Sequence, residues 1–155
     1  MDIVKNVLDP RINTAIYRMI AILKAADQIV NNSTVLVDDT HFQFAIAANE
    51  VWLLEYDLLT VTHTTSDIKF DHDVPALCTG YHGGISTAAA TWWSTAIGAG
   101  APVAYGTATT HSLLRVIVIN GANAGNCKLQ WAQGTTQVFD TKVLQNSVMR
   151  RMRLK

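Results

Sequence analysis

The residues best suited to metal or acid–base chemistry are His41, His63, His72, His82 and His111. A metal-binding β-sandwich of the cupin kind needs an His-x-His pair with a further Glu and His. Here no two histidines are separated by one residue, and glutamate occurs only at Glu50 and Glu55. His72 lies on the apolar side of its alternating run and reads as a hydrogen-bonded core or interface histidine. Asp67, Asp71 and Asp73 share the opposite side with Lys69. Same-side strand residues sit roughly 7 Å apart. That array holds a hard, subunit-bridging cation only if a loop oxygen joins it; a solvated strand face explains it at less cost. Serine and threonine abound without a Gly-x-Ser-x-Gly elbow, and Cys78 has no catalytic context. Gly80-x-x-Gly83-Gly84 lacks a following Lys-Ser/Thr, so these glycines read as turns rather than a phosphate loop. The expectation is a non-catalytic chain with no cofactor and no metal.

Contact chemistry is better represented. Arg150, Arg151, Arg153 and Lys155 make a basic tail with Met149, Met152 and Leu154 interleaved. Strand alternation puts Arg151 and Arg153 on one side and Arg150 on the other. Arg150 is expected near an interface or a sheet end, where Glu55 or Asp57 could neutralise it. Trp52 and Trp131 sit in alternating runs and read as core. Trp92 and Trp93 are adjacent, so both cannot face inward from a strand; one is exposed or covered by a partner.

Positioning these residues falls to an N-terminal helix and a set of strands. Asp9-Pro10 is a helix start signal, a carboxylate cap followed by proline. Beyond it Ile12, Ile16, Met19, Leu23 and Ala26 follow a 4-3-4-3 spacing, a narrow seam two heptads long. The seam predicts an amphipathic helix that either docks on its own domain, coils with two further copies, or lies on another protein. An isolated helix this short is marginal in water and needs a packing partner.

From about residue 29 the period becomes that of strands. Phe42, Phe44 and Ile46 alternate with Gln43, Ala45 and Ala47, and Ala48-Asn49-Glu50 turns into a long run over Val51–Val61 with Trp52, Leu54, Tyr56, Leu58 and Thr60 on one side. Ile68, Phe70, His72 and Val74 alternate next, and Pro75 closes the run. Residues 76–110 are poor in charge and rich in Gly, Ala, Thr and Ser, which predicts loops and one or two irregular strands. Strands return over 113–120, 127–133 and 143–154. About eight strands without helical crossovers predict a mainly β fold, an antiparallel β-sandwich or jelly roll behind a short N-terminal α-helix. The organisation expected is a helical anchor or trimerisation segment over 1–27 and a sandwich domain over 28–155.

Composition limits the partners. The 155 residues carry 12 basic and 12 acidic side chains, so net charge is zero and the electrostatic case for nucleic acid is missing. No apolar run is long enough to span a bilayer, and residues 1–6 do not resemble a secretory signal. Cys78 and Cys127 are therefore read as free thiols. Charged residues are only 15% of the chain, against about 25% in ordinary soluble chains. A surface so poor in charge favours coverage by other subunits.

Residues 32–39 (Asn-Ser-Thr-Val-Leu-Val-Asp-Asp) and 42–52 (Phe-Gln-Phe-Ala-Ile-Ala-Ala-Asn-Glu-Val-Trp) resemble segments of a family of tailed-bacteriophage virion proteins. So do Asp67-Ile68-Lys69-Phe70, Ala124-Gly125 leading to Leu129-Gln130-Trp131-Ala132-Gln133, and Ser147-Val148-Met149-Arg150. In order they cover most of residues 28–151. The resemblance implies a jelly-roll head similar to tumour-necrosis-factor or C1q heads, assembling as a homotrimer in the virion after synthesis in the host cytoplasm. It implies a capsid decoration or head-fibre-like protein that meets other virion proteins, such as major capsid or connector protein, through its N-terminal segment. Fibre members often carry long repetitive stalks, which are missing here and argue for attachment close to the particle. The alternative is a tail-fibre tip whose 76–110 loops and Trp92-Trp93 contact a host glycan or receptor.

Overall fold

A computed structural model describes residues 18–86, 93–98, 101–103 and 110–155. The described residues form twelve strands: Met19–Leu23 (β1), Gln28–Val30 (β2), Val37–Ile46 (β3), Val51–Val61 (β4), Ile68–Asp73 (β5), Thr79–Ser86 (β6), Trp93–Ala96 (β7), Ala101–Val103 (β8), Thr110–Ile119 (β9), Gly125–Gln133 (β10), Thr141–Val143 (β11) and Val148–Arg153 (β12). All pairings are antiparallel. One sheet runs β1-β12-β4-β9-β6-β7, with β11 joining β4 to β2; the other runs β3-β10-β5-β8.

The two sheets face each other as a β-sandwich. Period-2 alternation gives each long strand one apolar side, and those sides meet in the middle. Trp52, Leu54, Tyr56 and Leu58 of β4 and Leu114, Val116 and Val118 of β9 face Phe42, Phe44, Phe70, Leu129 and Trp131 of the smaller sheet in one buried cluster. Ring pairs cross the gap, Phe42 to Tyr56 at 5.9 Å and Phe44 to Trp52 at 4.9 Å between centroids. The chain changes sheets at 47–50, where Asn49 has φ +62°. Glu50 fastens that corner, accepting from the Ala47 N–H, the Trp52 indole and Arg153, each at 2.9 Å.

Three expectations change. The helix expected over the first residues is not what forms at its described end. Met19–Leu23 is a strand, paired from Met19↔Met152 to Leu23↔Val148, and no helix occurs among the described residues. Met-Ile-Ala-Ile-Leu is a continuous apolar run that satisfies either period. β-branched Ile20 and Ile22 suit a strand, and Ile22 packs on the core. Ile12 and Ile16 lie outside the described residues. The strand expected over 143–154 is two, β11 and β12, split by a turn in which Asn146 takes φ +68° and Ser147 Oγ donates to the Leu144 carbonyl at 2.8 Å. The acidic face of β5 is not uniformly solvated either. Asp67 sits in the preceding turn at φ +51°, and Asp71 is buried.

Candidate assembly face and a buried histidine cluster

Directly paired residues of an antiparallel sheet project to the same side, so register alone draws lines across the outer face of the larger sheet. One line is Met19, Met152, Leu53, Ile117, Tyr81 and Ala96, across six strands. Another, two pleats further, is Leu23, Val148, Leu113 and Ile85, apolar apart from Asp57 between Val148 and Leu113. Leu54, Tyr56, Leu114 and Val116 occupy the inner side of the same strands, which leaves both lines on the outside. Tyr81 is 68% exposed, Leu23 58%, Met19 48% and Leu113 42%.

Between the apolar lines runs a charged one: Arg150, Glu55 and Arg115. Arg115 Nε lies 3.7 Å from Glu55 Oε1. Arg150 pairs with Asp57, one of the two carboxylates considered for it, and His111 Nε2 is 3.1 Å from Asp57 Oδ1. A hollow of about 240 Å³ opens here, lined by Glu55, Asp57, Leu113, Arg115 and Arg150.

The outer face of the smaller sheet has different chemistry. Lys128 reaches Asp38 at 2.7 Å and Asp73 at 3.0 Å, and Gln130 donates to Asp38 at 2.8 Å. These bonds tie β3, β10 and β5 together with polar side chains.

Among the buried polar residues described, two groups carry charged or imidazole side chains. Lys24 Nζ meets Asp39 Oδ2 at 2.8 Å with both side chains fully buried. Asp39 Oδ1 also accepts the backbone N–H of His41 and Phe42, so the pair is well supplied with hydrogen bonds. No local spacing in the sequence signalled it, because the two residues lie 15 positions apart.

The second group is Asp71, His72 and His82. β5 supplies the first two from the smaller sheet, and β6 supplies the third from the larger. His72 Nε2 is 3.1 Å from the Tyr56 hydroxyl, the hydrogen-bonded core position expected for this residue. The His72 and His82 ring centroids are 5.5 Å apart. Asp71 Oδ1 accepts from its neighbour's N–H at 2.7 Å and from the Gly98 N–H at 2.8 Å. Gly98 holds φ +91° to present that N–H, a conformation glycine adopts without strain. Beside His82, a Cβ on Gly80 would fall 2.1 Å from the Ile117 carbonyl and 2.7 Å from Ile97, so only glycine lets the sheet and the Ile97 turn close here. Burial, followed by the neighbouring His82, holds His72 down to about 3, and burial lowers His82 too. Both shifts favour the neutral ring.

Of the residues singled out from sequence, Met19 and Leu23 come to the larger outer face, as does Arg150. Trp93 belongs to β7, paired with Gly84, and Trp92 lies outside the described residues. Cys78 and Cys127 are free, with Cys127 buried and its thiol pushed up to about 12, chiefly by burial. No protein-family model, no curated protein and no solved structure matches the chain.

Proposed function

We propose that this chain is a non-catalytic structural subunit that assembles with copies of itself through the outer face of its larger sheet. The observation that carries the reading is the pair of apolar lines on that face, Met19 to Ala96 and Leu23 to Ile85. Large exposed apolar side chains gathered on one face point to a contact surface. The charged line between them alternates Arg150, Glu55 and Arg115. A second copy can therefore set its arginine against this copy's glutamate, and no oppositely charged partner is needed. Zero net charge fits the same occupant.

The finer reading is a jelly-roll homotrimer in a tailed-bacteriophage virion, a capsid decoration or head-fibre-like protein with its N-terminal segment toward the capsid or connector. Its support is the resemblance of residues 28–151 to that family of virion proteins, together with a sandwich whose larger face suits close packing. Light scattering of the purified full chain is expected to give three times the chain mass. A monomer at micromolar concentration overturns the assembly. Absence of the chain from particles purified from its own host overturns the virion assignment.

A further inference from the structure

We propose that Asp71, His72 and His82 bind one Zn²⁺ ion and so clamp the two sheets together. One carboxylate oxygen and one ring nitrogen from each histidine lie within 4.8 Å of one another. A zinc ion with bonds of 2.0–2.2 Å sets its ligand atoms about 3.4 Å apart in a tetrahedron. The three donors, at most 4.8 Å apart, would draw together to reach that spacing. Their exposures are 4%, 4% and 1%, so bulk water would compete little with the protein ligands for the ion.

A second observation points the same way. His72 Nδ1 is buried and has no hydrogen-bond partner among the described residues. A buried polar atom left unsatisfied is destabilising, and a metal bond to Nδ1 would satisfy it. The opposite nitrogen, Nε2, faces the Tyr56 hydroxyl. A ligating histidine commonly hydrogen-bonds through its other ring nitrogen, which fixes tautomer and orientation. Asp71 is likewise oriented, by the Gly98 N–H. Neutral imidazole is the form that coordinates. Two imidazoles and a carboxylate suit Zn²⁺; Mg²⁺ and Ca²⁺ prefer oxygen shells. The fourth position falls to a water.

The test uses the full chain stripped with a chelator, titrated with Zn²⁺ by calorimetry, and with Co²⁺ as a spectroscopic substitute. One Zn²⁺ per chain, a rise of several degrees in Tm and tetrahedral Co²⁺ visible bands are expected, with no response to Mg²⁺. Asp71→Asn keeps an oxygen for the Gly98 N–H and is expected to weaken Zn²⁺ at least tenfold. His82→Phe fills the same space and is expected to abolish tight binding. The wild-type cobalt spectrum is read independently of either variant, so a folding defect in one does not spare the proposal. No binding by the wild-type chain overturns it, as does binding that is unchanged in both variants.

Discussion

The two outer faces of this sandwich are built by the same pleat and carry opposite chemistry. On the smaller sheet, Lys128, Asp38, Asp73 and Gln130 cross-link neighbouring strands through bonds of 2.7–3.0 Å. On the larger, Met19, Tyr81, Leu113 and Leu23 stand exposed in lines with a charged row between them. An antiparallel sheet with one solvated side is ordinary and reads as apolar-in, polar-out. Only the smaller sheet follows that pattern. The larger carries exposed apolar side chains on its outer side as well, interrupted by Asp57 and by the row Arg150, Glu55 and Arg115. The contrast supports the proposal that the larger face is the one covered in the assembly.

The strongest way to break the contrast is to make the larger face resemble the smaller. Tyr81→Asp combined with Leu113→Asp is expected to leave the chain folded and to convert the assembly to monomers by light scattering. Central apolar contacts of this type are worth roughly 2 kcal/mol or more each in an interface. The reciprocal change on the smaller face, Gln43→Asp, is expected to leave the mass unchanged. If the double variant kept its full mass, the apolar lines would not be the contact.

A finer cut compares neighbours on one strand. Leu114 is 3% exposed and Leu113 42%, so one side chain belongs to the fold and the next to the surface. Leu114→Ala is expected to cost about 2–5 kcal/mol in urea unfolding, the loss of packed core volume. Leu113→Ala is expected to change monomer stability by no more than about 0.5 kcal/mol and to act on association instead. Equal costs for the two would mean that Leu113 is buried within its own chain.

Much of this architecture was legible in the residues. β4 runs over the span that its alternation marked, because eleven residues of strict period with Trp52, Leu54, Tyr56 and Leu58 on one side leave no helical alternative. β5 ends before Pro75 for the same local reason. The strand at Met19–Leu23 was not legible, since a run apolar at every position carries no period and its partner, Val148–Met152, lies more than a hundred residues away. Asp71 was misread because alternation tells which side a residue faces, and not that Gly98 folds over that side. The histidine cluster was hidden for a related reason: His72 and His82 show no ligand spacing along the chain, and only the facing of the two sheets brings their rings together. The outer apolar lines depend on register between six strands, which no single segment encodes.

The smallest effect concerns acid and belongs to the polar face alone. Hydrogen bonds from Lys128 first, and from Gln130, hold the Asp38 carboxyl below its ordinary value of 3.8. The unfolded chain therefore takes up that proton at a higher pH than the folded one. Across that window the unfolded state binds more protons, so stability falls as pH drops below about 3.8 and through the folded value. Lys128→Met removes the larger of the two causes and is expected to shorten this acid limb in urea midpoints measured from about pH 5 down to about pH 2. The bond from Gln130 remains, so part of the limb should persist. Identical limbs in the two proteins would mean that the Lys128 bridge does not tie β3 to β10. Association through the larger face should be the same in both, because no atom of that contact is shared with Asp38.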